Sequence, residues 1–273
     1  MKKLFIILSA VCLTAGAFAR TWTPELQARA ESGNAEAQAE LGYCYFAGKG
    51  VDRNDEEAAK WLAKAATQGD KTAEATLRNL SLLSGYLNYA EGGDPQYQVA
   101  MGLMYRWEGG IGLPQDFQEA VGWYRLAAEK GDRNGQYSLG YMYEMGYGVG
   151  QNNAEAAGWY RKAADQGDVQ AMYKLGTSYY KGEQLTGEEK DPVAARKFLE
   201  KYVNAFRDAD GRITVKKKDM QAVMSDALRM LQALYRFGRG TSVDLDKANS
   251  LLKEASAFGS PDAAAISRIM NGR

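Results

Sequence analysis

The sequence predicts an all-α protein, a solenoid of stacked helix-turn-helix repeats of 36–38 residues. Three observations predict it. A block whose clearest copy runs Leu139-Gly140-Tyr141-Met142-Tyr143, Gly146-Tyr147-Gly148-Val149, Ala156-Ala157-Gly158-Trp159-Tyr160, Ala163-Ala164 and Gly167-Asp168 recurs along the chain. Within each copy, apolar residues fall three and four apart on both sides of a glycine-rich break, the spacing of two amphipathic helices joined by a turn. A fixed period of this length marks units that cannot bury their apolar faces alone and must stack.

Taken in order, the chain opens with Met1-Lys2-Lys3, an apolar run from Leu4 to Gly16, and Ala17-Phe18-Ala19. A positive start, an apolar stretch too short for a bilayer core of about 30 Å, and a small-x-small site make a cleavable secretory signal. Residues 1–19 are therefore expected to be a signal peptide cut before Arg20. That places the mature chain in the periplasm, with secretion as the second choice. Cys12 lies inside the apolar run and follows Val11, where a lipoprotein signal needs a small residue, so lipidation is not expected. Residues 20–33 hold Pro24 to Glu31, a lone second-type helix that leads into Gly33-Asn34 and caps a solenoid over 34–273.

The first helix of each repeat is anchored at Leu41, Met101, Leu139, Leu175 and Leu231, with a tyrosine four residues later at Tyr45, Tyr105, Tyr143, Tyr179 and Tyr235. Residues four apart share a helix face, so both are expected to pack inward. Gly42, Gly102, Gly140 and Gly176 follow the anchor. A mid-helix glycine costs about 1 kcal/mol against alanine, and a close neighbouring backbone is the expected reason. Gly48-Lys49-Gly50-Val51, Gly146-Tyr147-Gly148-Val149 and Gly238-Arg239-Gly240-Thr241 are expected to end first helices, and Asn54-Asp55, Asn152-Asn153 and Asp191-Pro192, near the starts of second helices, are expected to cap them. The second helix buries Ala58, Trp61 and Ala65, then Ala120, Trp123 and Ala127, then Ala156, Trp159 and Ala163. Truncating such a tryptophan should cost about 3–5 kcal/mol. From tyrosine to alanine is 13 residues in copies one, three and five, and 15 from Tyr105 to Ala120 and from Tyr179 to Ala194. Glycine-acid pairs at Gly69-Asp70, Gly131-Asp132 and Gly167-Asp168 separate the repeats.

Two segments depart from the pattern. Residues 71–94 have no Gly-x-Gly turn and no tryptophan, and read as a shortened hairpin. Residues 204–219 read as an insertion, with a β-prone stretch Arg212-Ile213-Thr214-Val215 followed by Lys216-Lys217-Lys218. Pro261 to Met270 reads as a C-terminal capping helix over 261–270.

Leu139-Gly140-x-x-Tyr143, Gly146-x-Gly148-Val149, Ala156-x-x-Trp159-Tyr160-x-x-Ala163-Ala164 and Gln166-Gly167-Asp168 resemble the Sel-one-like repeat family, relatives of the tetratricopeptide repeats. The resemblance covers nearly all of residues 34–268. It implies a right-handed superhelix whose first helices line the concave side and which mediates protein–protein contacts. Bacterial members are often exported. Some are immunity proteins that neutralise phospholipase effectors of type VI secretion; others are adaptors in envelope assembly, stress signalling or contact with host proteins. A cysteine-rich subgroup linked to penicillin binding closes each repeat with a disulfide; here Cys44 stands alone after signal cleavage, and that likeness fails.

Composition narrows the chemistry. The formal charge is +0, and removal of Lys2 and Lys3 makes it −2, so no global field favours nucleic acid or an anionic membrane. No second apolar stretch approaches the length of a membrane span. Histidine is absent, which excludes a Ser-His-Asp triad, a Cys-His pair and a His-ligated metal. Gly146-x-Gly148-x-Gly150 follows a helix pattern and precedes no Walker lysine, so it reads as a turn. Asp208-x-Asp210-Gly211 lacks the carboxylates that a calcium loop needs at its first and twelfth positions, Phe206 and Lys217. Cys44 aligns with Met104, Met142, Ser178 and Leu234 and reads as core. No cofactor, metal or catalytic residue is expected. A peptidoglycan- or lactam-related enzyme is the remote alternative.

The informative positions are the unshared ones. Two and five residues after each anchor lie on one face of the first helix, beside the core stripe. They read Tyr43 and Phe46, Leu103 and Arg106, Tyr141 and Glu144, Thr177 and Tyr180, Ala233 and Arg236, with Trp107 and Phe237 bordering the face one residue later. Tyr, Trp and Arg are enriched at binding hot spots. The expected protein-binding residues are therefore Tyr43, Phe46, Arg106, Trp107, Tyr141, Glu144, Tyr180 and Arg236, and the expected partner is a protein, a secreted effector in the sharpest form.

Overall fold

In a computed structural model, which describes residues 21–107, 113–182, 190–215 and 217–258, every described helix except Lys218–Arg236 starts at a side chain that accepts a backbone amide. Asn34, Asn54, Asp116, Asp132, Asn152, Asp168, Asp191 and Asp244 all do so. Such caps satisfy donors that the first turn leaves free, typically worth about 1 kcal/mol each. The described helices are α1 Pro24–Glu31, α2 Ala35–Ala47, α3 Asp55–Thr67, α4 Lys71–Glu91, α5 Pro95–Arg106, α6 Phe117–Glu129, α7 Arg133–Met145, α8 Asn153–Asp165, α9 Val169–Lys181, α10 Pro192–Asn204, α11 Lys218–Arg236 and α12 Leu245–Ala257. Five hairpins form: α2 with α3, α5 with α6, α7 with α8, α9 with α10, and α11 with α12. The fold is an all-α solenoid of helix-turn-helix repeats. The expected signal peptide at 1–19 and the capping helix at 261–270 lie outside the described residues.

The chain forms two compact units. One holds the residues up to Lys130 together with Tyr147–Val149; the other holds Gly131–Gly146 and the residues from Gly150 onward. The first has a core of Phe46, Leu62, Leu80, Leu83, Met101 and Met104, with a satellite around Leu26, Leu41, Cys44 and Trp61. Burial pushes the Cys44 thiol up, helped by Glu40. The second is built on Tyr160, Leu175, Leu199, Leu228 and Leu231.

The mid-helix glycines face side chains more than backbone. A Cβ on Gly102 would stand 2.5 Å from the Tyr124 ring, on Gly140 3.0 Å from the Tyr160 ring, and on Gly176 2.8 Å from Leu199 Cγ. In copies two and three the residue received is the one after the expected tryptophan. Tyr124 and Tyr160 are fully buried, whereas Trp123 and Trp159 are only half-buried. Trp159 lies at the flank of the stripe, with Lys162 Nζ 3.8 Å from its ring centroid. The tryptophan thus yields the central position to its neighbour in copies two and three. In copy four the buried alanine is Ala195, four residues after the cap Asp191, not Ala194. The cap, rather than the tyrosine, sets the register of the second helix.

Residues 71–91 form one continuous helix, α4, where a shortened hairpin is expected. It starts like a first helix, capped by Asp70 with Ala73 buried. It ends like a second helix: Ala90 O accepts from Gln98 Nε2 just as Ala30 O accepts from Gln38 Nε2. Without a left-handed glycine between these ends, nothing breaks the rod. In the insertion, the β-prone stretch makes a single bridge, Arg207 to Ile213, rather than a strand. Asp208 Oδ1 accepts the amides of Asp210 and Arg212, and Arg207 clamps Glu254 at 2.8 and 3.0 Å. Helix α11 begins at Lys218, inside the expected insertion. Lys216 lies outside the described residues.

One junction is incomplete. Gln166 Nε2 donates to both Gly131 O and Gln136 Oε1, each at 2.8 Å. Copy two has Lys130 in that place; its ammonium donates to Gly93 O at 2.6 Å. The buried Gln98 Oε1 is left without a hydrogen-bond partner among the described residues. Lys130→Gln should make both bonds and stabilise the first unit by about 1 kcal/mol, read as a raised urea midpoint. An unchanged or lowered midpoint would contradict this account.

The buried tyrosines predict an alkaline limit. Burial, then the neighbouring Tyr173, pushes the Tyr202 hydroxyl up to about 12. Burial and then its bond to Glu144 raise Tyr160. Unfolded tyrosine ionises near pH 10, so above that pH the unfolded chain releases protons that the folded chain retains. The stabilisation is complete below pH 10 and is lost as the pH rises through 12. Urea midpoints should fall steeply between pH 10 and 12, with no contribution from these groups between pH 7 and 9.

Candidate functional site at the ends of the first helices

Side-chain exposure sorts the expected binding residues. Phe46 does not belong to a surface: it is fully buried against Leu62 and Met101, with the Arg53 guanidinium 5.6 Å from its ring. In the first copy the position five after the anchor turns into the core, and periodicity alone does not separate the edge of a stripe from its centre. Tyr43, Arg106, Tyr141, Glu144 and Tyr180 are half-buried, and Arg236 is exposed.

Glu144 and Tyr141 belong to an internal cluster of the second unit. Lys174 Nζ lies 2.6 and 2.9 Å from the Glu144 carboxylate, which also accepts from the Tyr160 hydroxyl at 2.5 Å. The same ammonium is 5.7 Å from the Tyr141 ring centroid and 5.6 Å from that of Tyr160. Charge-assisted bonds of this kind fix geometry more than they add stability when partly solvated. The tyrosines four after the anchor play a related role between repeats. Tyr105 meets Arg53 at 3.5 Å, Tyr179 accepts from Arg161, and Tyr235 donates to Glu200. Their rings pack inward, and the hydroxyls of Tyr179 and Tyr235 tie to the preceding second helix while that of Tyr105 ties to the turn before α3.

The exposed apolar residues sit one position further on. Six residues after the anchor stand Ala47, Trp107, Met145, Lys181 and Phe237. Trp107 is 55% exposed, Met145 40% and Phe237 62%. Each lies at the end of a first helix: Trp107 closes α5, Met145 ends α7 and Phe237 closes α11. Arginine accompanies both aromatics, Arg106 at 5.1 Å from the Trp107 ring centroid and Arg239 at 5.7 Å from that of Phe237. Large apolar groups left in water, with a cation stacked alongside, are suited to burial against a partner. Met145 stands at the same repeat position as Trp107 and Phe237 but has neither ring nor charge, so residue type alone does not mark it. Among the described residues, no three His, Cys, Asp or Glu side chains gather to hold a metal ion, and no helix is long and apolar enough to cross a membrane.

The Sel1 repeat profile matches residues 35–70, 95–132, 134–168, 169–201 and 225–259. It passes over 71–94, most of which is α4, and over the segment that carries the Arg207 hairpin. A protective antigen present in uropathogenic Escherichia coli strains, displaying an SLR fold, is similar at 32% identity and a TM-score of 0.53, over 88% of this chain and 49% of that one. The chain therefore spans about half the length of that relative. A Sel1 repeat protein from Oxalobacter formigenes is similar at 27% identity and a TM-score of 0.54, over 98% of this chain and 76% of that one. Five matched repeats, seen as five helical hairpins, show that the chain belongs to the Sel1 repeat family, whose members typically serve as protein-interaction scaffolds.

Proposed function

We propose that this protein is a non-catalytic, exported scaffold that contacts a protein partner through first-helix ends, Trp107 in the first unit or Met145 and Phe237 in the second. The exposed Trp107, Met145 and Phe237, recurring at one repeat position, carry this reading. The signal-like N-terminus supports a periplasmic site of action. The likeness to a protective antigen of uropathogenic Escherichia coli fits an exported molecule. In its sharpest form the partner is a secreted antibacterial effector, phospholipase-like, and the protein is its immunity factor. The alternative is an adaptor in envelope assembly, stress signalling or contact with host proteins.

The test is affinity capture from periplasmic extract with the mature chain and with Trp107→Ala and Phe237→Ala. A specific protein retained by the wild type and lost from at least one variant with an unchanged circular-dichroism spectrum supports the scaffold reading. Equal retention by all three sinks the assignment of this surface. For the immunity form, a deletion strain should die when attacked by armed neighbours; full resistance rules it out.

A further inference from the structure

We propose that a groove between α3 and α4 is a second docking site, which receives a basic amphipathic helix from a partner protein. The groove, about 400 Å³, is walled by Asp55, Glu56 and Ala59 of α3 and by Leu77, Leu80, Ser81 and Ser84 of α4. It exists because the 71–94 block is shorter than the 35–70 block by about one helix. In complete repeats a second helix lies beside the first, as α3 beside α2 and α6 beside α5. Here the single rod α4 serves as both, and the flank where a separate second helix would pack stays open.

The lining says what fits. Ala59 and Leu77 are half-buried and pack on the core of the first unit, so they make an apolar floor. The first turn of α3 carries Asp55, Glu56 and Glu57. Arg53 engages Asp55 and Lys60 engages Glu57, while Glu56 stands exposed on the groove wall. The opposite wall is uncharged: Ser81 is exposed, and Ser84 returns its hydroxyl to Leu80 O. An occupant therefore needs apolar side chains on the face it buries and a lysine or arginine at the α3 edge. Helix-in-groove recognition uses this arrangement. The α4 wall lies in the segment that the family profile passes over, and the α3 wall lies within the matched repeat 35–70. It does not depend on the first-helix reading above.

The experiment uses the mature chain and two helix-forming peptides, one of leucine and lysine, the other of leucine and glutamate in the same pattern, followed by fluorescence anisotropy. The lysine peptide should bind at least about tenfold tighter than the glutamate peptide. Ala59→Trp and Ser81→Trp, which fill the groove from opposite walls, should each weaken it at least about tenfold. Glu56→Lys should weaken it too, and Leu126→Ala, at an exposed position of α6, should leave it unchanged. Absence of binding, or of a charge preference, would overturn the proposal. So would equal binding by the tryptophan variants. Should Ala59→Trp lose its native circular-dichroism spectrum, Ser81→Trp decides, since Ser81 is exposed and its replacement fills no core space.

Discussion

Tyr160→Ala should destabilise the second unit by about 3–5 kcal/mol, and Trp159→Ala by only about 1–2 kcal/mol, although tryptophan is the larger residue. Tyr160 is fully buried, packs on the space left by Gly140, and bonds Glu144 at 2.5 Å. Removing it leaves a ring-sized cavity between α7 and α8. Trp159 sits half in water under Lys162, so its loss uncovers surface and forfeits a cation–π contact without opening the core. Tyr160→Phe separates ring from hydroxyl: it keeps the packing and should lose about 1.5 kcal/mol, the worth of a bond to a charged acceptor. Urea unfolding of the three variants checks the order. A larger effect for Trp159 would mean that the stripe is centred as periodicity alone suggests.

The second large effect is expected at Gly148. Its φ is +66°, and a Cβ there would stand 2.1 Å from Phe117 O and 2.7 Å from Gln118 N, the start of α6. The adjoining Tyr147 ring stacks on Phe117 at 4.7 Å. Gly148→Ala combines a left-handed penalty of about 1 kcal/mol with a backbone clash of about 1–3 kcal/mol. Gly150→Ala is the control, since a Cβ there meets nothing within 4 Å. Chemical denaturation should show a loss of at least about 2 kcal/mol for the first and almost none for the second. Gly240 presses on Pro192 and Val193 in the same way, with a Cβ 2.5 Å from the Pro192 carbonyl carbon. The second glycine of the turn is thus a docking point on a preceding second helix, a role beyond ending its own.

Local chemistry was legible in the sequence; depth within a face was not. Asn54, Asn152 and Asp191 cap where their side chains predict, because capping depends on atoms within three residues. The turn glycines take positive φ for the same local reason. Trp123 against Tyr124, Phe46, and Ala194 against Ala195 were misplaced by one position on a face or by its width. A stripe three to four residues wide has a centre and two edges, and only the packed neighbour decides which is which. The length of α4 followed from an absent turn, which reads as a hairpin with a missing loop or equally as a single rod. At the candidate site, Trp107 and Arg236 lie in water, Glu144 is committed to Lys174 and Tyr160, and Met145 carries no aromatic ring or charge by which the sequence could mark it as exposed.

The most direct test of the binding surface is site-specific photo-crosslinking in living cells. A photoreactive phenylalanine analogue is placed at position 107, at position 237, or at 126, where Leu126 is exposed on the second helix α6. The scaffold account predicts a discrete crosslinked protein species from 107 or 237 and none from 126. A species from 126 alone, or none from 107 and 237, would contradict it.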